Sequence, residues 1–192
     1  MKNNRNGKAS IITDSEYLKI RAKIISLKYK ILLDLAWYTG ERWGALVQLR
    51  VSDIYGANGP HCMITFRSAT RKKRPDGSAD TRQIPTHPAL MESLRTYTPD
   101  NNSVWMFPGR DGSKPLGWRQ AYEILRAAVV RCGMAAKGIT THSTRRTFIT
   151  KLHRNGVSTA TIRRITGHRD YKSLDGYIEI DSNEVQGAIF NL

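Results

Sequence analysis

Apolar residues recur at helical spacing along most of this chain, and the period breaks in one stretch before its middle. Tyr17, Ile20, Ile24 and Leu27 follow Thr13-Asp14-Ser15-Glu16, which reads as a capping box. In that motif the threonine hydroxyl and the glutamate carboxylate each accept an open backbone N–H at the helix start. Ile31, Leu32, Leu35 and Ala36 predict a second helix, stopped at Gly40 by a residue suited to the left-handed conformation. A short helix is predicted over 41–49. The pattern then changes: "HCMITFR" (61–67) and "DTRQIP" (80–85) are strand-like runs on either side of "SATRKKRPDGSA", and predict a hairpin with a long basic tip. From Pro88 onward helices are predicted over 88–97, 118–132, 142–155, 159–166, 171–178 and 184–192, with Gly156 as a stop and Ser158 as a new cap. The fold class is therefore mainly α with a small antiparallel β-sheet. Residues 1–12 read as a flexible basic tail and 13–192 as one domain.

Charge narrows the function classes. Thirty-one Lys and Arg stand against sixteen Asp and Glu, a net charge of +15, and such an excess points to a polyanion, most often nucleic acid. A membrane is a poorer match: no apolar run has the length of a span, residues 1–10 lack an apolar signal core, and no basic helix carries a large apolar face. Cys62 and Cys132 stand far apart without metal or redox spacing and read as reduced thiols. No carboxylate cluster has the spacing of metal ligands, which argues against a metal-dependent nuclease.

Within "TTHSTRRTFITKL" (140–152), His142 and Arg145 lie three residues apart, on one helix face, where imidazole and guanidinium can converge on one small anion. Alone, this spacing is a weak signal, since a solvated basic face has the same pattern. It does not stand alone. "YTGERWGALVQLRVSDI" (38–54) puts Arg42 just past a glycine-ended helix, "ATRKK" (69–73) puts lysines on the hairpin, and "ITGHRDYKSLDGYIEID" (165–181) carries His168 and, nine residues later, Tyr177. The order Arg … Lys … His-x-x-Arg … Gly-His … Tyr resembles the tyrosine recombinase (phage integrase) family, over roughly residues 13–192 and its C-terminal catalytic domain.

That resemblance implies a metal-free, ATP-free and cofactor-free reaction on double-stranded DNA in the cytoplasm of a bacterial, phage or mobile-element host. Tyr177 would attack the scissile phosphate to leave a 3′-phosphotyrosyl link, tyrosine being able to form covalent intermediates. Arg42, Arg145 and His168 would hold the phosphate, whose growing charge suits bidentate guanidinium donors. His142 would assist proton transfer at the nucleophile, and Lys72 or Lys73 would act as general acid for the departing 5′-oxygen. Tyr171 is also near His168, but its spacing does not match the family. Arg146, Arg163, Arg164 and Arg169 read as contacts to the DNA backbone or solvent-facing charge. Val185, Ala188, Ile189 and Leu192 form an apolar stripe on the last helix; family members often dock this helix on a neighbouring protomer, which implies a homo-oligomer, a tetramer, on DNA.

Two features depart from the family. Its members commonly carry an acidic residue three positions after the first arginine, and that position is Ala45, so another group must hold Arg42 or leave it looser. They also carry an N-terminal DNA-binding domain, for which the sequence before the first helix is too short; a catalytic fragment and a minimal member both fit. Two other activities suit the same pattern: DNA relaxation of the type IB topoisomerase kind, and DNA binding without chemistry.

Overall fold

A computed structural model describes residues 9–70, 80–168, 170–178 and 182–190. The chain divides into two compact units, Met1–Phe148 and Ile149–Leu192. The first unit contains helices α1 (Asp14–Lys23), α2 (Leu27–Thr39), α3 (Trp43–Leu46), α4 (Pro88–Arg95) and α5 (Trp118–Arg131), with four short strands. The boundary falls inside α6 (Thr141–Arg154), and the second unit continues with α7 (Thr159–Thr166), α8 (Tyr171–Asp175) and α9 (Ser182–Phe190). The predicted class, mostly helical with little sheet, is the observed one.

Local chemistry explains most boundaries. Thr13 caps α1 with the reciprocal bonds of a capping box: its hydroxyl accepts from the Glu16 N–H at 3.3 Å and its own N–H donates to Glu16 Oε2 at 2.9 Å. α2 ends at Gly40 with φ +60°. Its buried face includes Asp34, which accepts from the Tyr17 hydroxyl (2.6 Å) and from Arg21 Nε (2.7 Å), so an acid inside the α1–α2 core is neutralised rather than stranded. Burial first, then the neighbouring Asp34 charge, push the Tyr17 phenol far above its ordinary pKa.

α3 is shorter than the predicted 41–49. The reason lies beyond it: the Leu49 carbonyl accepts from Met106 N–H (2.9 Å) and Val51 N–H donates to the Val104 carbonyl (3.0 Å), so this backbone is committed to another segment. The hairpin exists as β3 (Met63–Phe66) paired antiparallel with β4 (Arg82–Pro85), in the register Ile64↔Ile84 and Phe66↔Arg82. A second sheet was not expected. β1 (Tyr55–Gly56) pairs with β2 (Gly59–Pro60), two residues a side, too short to print an alternation in the sequence.

Residues 9–12 correct the expectation of a tail reaching residue 12. Ser10 and Ile12 are buried; Ser10 N–H donates to the Gly138 carbonyl (3.2 Å) and Ile12 N–H to Thr147 Oγ1 (2.9 Å), so this segment is paired with the turn before α6 and with the middle of that helix. The core of the first unit gathers Ile20, Ile31, Leu35, Leu46, Phe66, Leu90, Phe107 and Leu125. That of the second is Ile149, Ile162 and Leu174, flanked by Leu152, Val157, Tyr177 and Ile178. Among the described residues no helix is long and apolar enough to cross a membrane.

Candidate active site

The site in the first unit begins with a turn that only glycine can make. At Gly40 the backbone is left-handed, and an added Cβ would lie 2.6 Å from Phe148 Cγ. Thr39 hydrogen-bonds back to the Leu35 carbonyl at 2.6 Å while its oxygen accepts the Glu41 N–H at 3.2 Å, closing the end of α2 over the turn. Arg42 then stands at the N-cap of α3. Trp43 is buried and donates its indole N–H to Thr144 Oγ1 at 3.2 Å, which fixes α3 against the first turns of α6.

α6 starts through its own side chains: Thr140 Oγ1 accepts the His142 N–H (3.2 Å) and Ser143 Oγ accepts the Thr140 N–H (3.0 Å). His142 faces solvent, whereas Arg145 is 1% exposed, one of the largest fully buried side chains in the protein. Its Nη1 donates to the Gly40 carbonyl at 2.9 Å and lies 3.7 Å from Glu41 Oε1. Glu41, itself 2% exposed, also pairs with Arg82 of β4 and accepts the Arg42 N–H on Oε1 at 2.8 Å. The guanidinium of Arg82 lies 5.4 Å from the centre of the Phe66 ring, a cation–π contact across the hairpin.

Arg42, His142, Arg145, Ala69, Thr70 and Trp118 are among the residues lining a cavity of about 380 Å³. The Arg42 guanidinium makes no hydrogen bond or ion pair with a described residue. Among the described residues lining the cavity, Arg42, Arg145 and His142 are basic and Glu41 is the acid. The cavity thus suits an anion with several oxygens, which guanidiniums bind through paired, charge-assisted bonds.

In the second unit Ser158 caps α7, accepting the Thr161 N–H at 3.2 Å, and Gly167 closes it in the left-handed conformation. His168 follows, 7% exposed, with Nδ1 at 2.7 Å from Thr166 Oγ1. Thr166 Oγ1 in turn donates to the Ile162 carbonyl at 2.7 Å. Its single proton is thereby used, so the oxygen accepts from Nδ1–H, and the His168 ring can present Nε2 elsewhere. The Tyr177 ring lies 5.1 Å from the His168 ring, centre to centre. α8 stops at Asp175 instead of 178, and Tyr177 sits just past Gly176, with its N–H on the Leu174 carbonyl (2.8 Å) and its carbonyl accepting from Thr150 Oγ1 (3.2 Å). Tyr171, the alternative nucleophile, lies under the Arg163 guanidinium at 4.6 Å.

The predicted residues therefore fall into two groups: Arg42, His142 and Arg145 line the cavity of the first unit, and His168 and Tyr177 neighbour each other in the second. Lys72 and Lys73 lie outside the described residues; Ala69 and Thr70, just before them in sequence, line the cavity. Arg146 is a correction: at 3% exposed, it donates to the Ala9 carbonyl at 3.0 Å and holds the N-terminal segment, so it is not a surface cation for DNA. Sequence reasoning missed Glu41, whose only local signal is an acid beside the first arginine when position 45 has none. It also missed Trp118, 52% exposed on the cavity wall at the start of α5.

The sequence model of the phage integrase family matches residues 10–184. A probable integrase/recombinase, YoeC, of Bacillus subtilis (strain 168) is 30% identical over 144 residues, covering 74% of this chain and 72% of YoeC. The tyrosine recombinase XerD of Brucella suis biovar 1 (strain 1330) is 26% identical over 165 residues, 82% of this chain and 50% of XerD. The chain thus spans about half the length of that relative. Among solved structures, the Tn1549 transposon integrase in complex with circular intermediate DNA superposes with a TM-score of 0.72 at 16% identity, covering 98% of this chain and 67% of the integrase.

Proposed function

The chain belongs to the phage integrase family of tyrosine recombinases, and from that we propose that it is the catalytic part of a site-specific DNA recombinase. Its substrate is double-stranded DNA, and residues 9–192 form its catalytic region. The observation that carries this is the basic cavity, where the Arg42 guanidinium, bound by no described residue, the buried Arg145 and the exposed His142 meet. DNA also suits the net charge of +15, and binding should fall steeply with salt as phosphate neutralisation releases counterions.

In the proposed reaction the Tyr177 hydroxyl oxygen attacks phosphorus and the phosphorus–5′-oxygen bond breaks. A 3′-phosphotyrosyl ester and a free 5′-hydroxyl result. Arg42, Arg145 and His168 hold the non-bridging oxygens, which gain charge in the transition state. His142 takes up the phenol proton, and Lys72 or Lys73 supplies one to the leaving oxygen. The ester conserves the bond for rejoining, so neither ATP nor a metal enters the scheme. Tn1549 integrase, similar in fold, is known in complex with circular intermediate DNA, which supports the choice of substrate.

Covalent trapping tests the proposal. Wild type incubated with nicked suicide duplexes from the flanks of its gene, and with supercoiled plasmid, should give a denaturation-resistant protein–DNA adduct. Tyr177→Phe should bind the same DNA and give none. Clear binding without an adduct in the wild type would instead favour a DNA-binding role without chemistry, and plasmid relaxation without exchange between sites would favour the topoisomerase-like activity.

Assembly on DNA is part of the proposal. On α9, Val185 and Ile189 lie one turn apart and are 55% and 61% exposed, an apolar strip suited to a neighbouring protomer; the Ala188 side chain and Leu192, the rest of the predicted stripe, lie outside what is described. Deleting 183–192 should abolish assembly beyond one protomer per half-site in native gels while retaining binding to a single half-site. Unchanged assembly would remove α9 from that role.

A further inference from the structure

We propose that Glu41 is the positioning residue for Arg145, replacing the acid that the family carries at the position of Ala45, and that Arg82 locks it in place. The inference deepens the recombinase reading and rests on it for the identity of the anion, though not for the geometry.

Three observations converge on Glu41. It is 2% exposed, so its charge has little water to satisfy it. Its carboxylate stands between two guanidiniums, Arg145 at 3.7 Å from Oε1 and Arg82 on Oε2, and also accepts the Arg42 backbone N–H at 2.8 Å. The position three residues after Arg42 is an alanine that lines the same cavity and carries no charge. Arg145 and Arg82 are 1% and 10% exposed in their side chains, and Glu41 is the carboxylate that both of them reach.

The arrangement divides the labour between the arginines. Glu41 and the Gly40 carbonyl fix Arg145 from behind, whereas the Arg42 guanidinium is held by no described residue. The other group expected to hold Arg42 thus acts on Arg145 instead, and on Arg42 only through the backbone. The Glu41 carboxylate, shared by Arg82 and Arg145, favours the burial of both guanidiniums. Because Arg82 belongs to β4 and stacks over Phe66 of β3, Glu41 also ties the hairpin to the arginine site.

The test compares wild type, Glu41→Gln and the double variant Glu41→Gln/Ala45→Glu, which returns the acid to the family's usual position. The first readout is side-chain ¹⁵N NMR of Arg145, assigned through Arg145→Lys. A fixed guanidinium turns slowly about its Nε–Cζ bond and gives separate Nη signals. Those signals should merge in Glu41→Gln and separate again in the double variant. The second readout is the single-turnover rate of adduct formation on a nicked duplex. It should fall by about a hundredfold in Glu41→Gln, as expected for a misplaced catalytic group, and recover at least tenfold in the double variant. Separate Nη signals in Glu41→Gln would overturn the proposal, as would a loss of rate that Ala45→Glu does not relieve in a folded double variant. If Glu41→Gln fails to fold, Glu41→Asp replaces it; its shorter acid should weaken the separation and the rate together, and an unchanged Arg145 spectrum there would equally overturn the proposal. A wild type with the expected NMR response but no adduct would count against the recombinase reading alone, leaving the positioning role supported.

Discussion

Arg145 and Tyr177 sit on different foundations. Arg145 is enclosed in the unit Met1–Phe148, whose core draws on five helices and a hairpin, and its guanidinium is fixed by a glycine carbonyl and a buried carboxylate. Among the described residues of the unit Ile149–Leu192, Tyr177 borders a core of the fully buried Ile149, Ile162 and Leu174. Apolar burial sets how much local disorder a segment resists, and small units bury a smaller fraction of their surface. The anion site should therefore behave as a rigid wall, and the unit that carries the proposed nucleophile should open at lower cost. For the proposed reaction, which would make and then break its own covalent link, a fixed phosphate clamp with an adjustable nucleophile is a sensible division, since low-stability segments supply moving parts.

The largest effect expected from a test of this comparison is at Gly40. Gly40→Ala would force a left-handed alanine and drive its Cβ into Phe148, at a cost of about 3 kcal/mol. Because the Gly40 carbonyl also anchors Arg145, adduct formation should fall together with the thermal midpoint. A fully stable Gly40→Ala protein would contradict the rigidity assigned to this wall. Leu174→Ala comes next. It removes one of the fully buried apolar side chains described in the second unit and should cost about 2 kcal/mol. In native-state hydrogen exchange, amides of α7 and α8 should lose protection while those of α2 and α5 keep theirs. Equal loss in both would mean that the two units unfold as one, and the comparison would collapse.

Most of the architecture was legible because its signals are local. The Thr13 capping box, the stop at Gly40, and the Gly156–Ser158 break each depend on residues within one turn of one another, and each is present as read. The elements that escaped depend on distant partners. Nothing near Glu41 reveals that Arg145, more than a hundred residues later, and Arg82 will both reach its carboxylate. Arg146 looked like surface charge because its neighbours are polar, yet its partner is the Ala9 carbonyl. Asp34 sits among leucines in α2, and only the return of α1 supplies Tyr17 and Arg21 to satisfy it. Candidate site residues were easier to name than to support: their chemical type is written at their own positions, while the groups that hold them are scattered.

The smallest of these effects is at Thr166, and it sharpens the comparison most narrowly. Thr166→Val keeps the branched shape and removes the oxygen that accepts from His168 Nδ1 and donates to the Ile162 carbonyl. The buried ring loses one partner, worth about 1 kcal/mol. In the second unit that loss should be visible as faster exchange in α7, with the first unit unchanged. His168 would also lose the bond that orients its ring beside Tyr177, so adduct formation should slow by about fivefold, in proportion to that energy. Thr166→Ser retains the oxygen without the methyl group and should restore the rate even if it restores little stability. If Val keeps the wild-type rate and Ser loses it, the methyl packing of Thr166 matters and its hydrogen bond does not, and the orientation of His168 would have to come from the core around it.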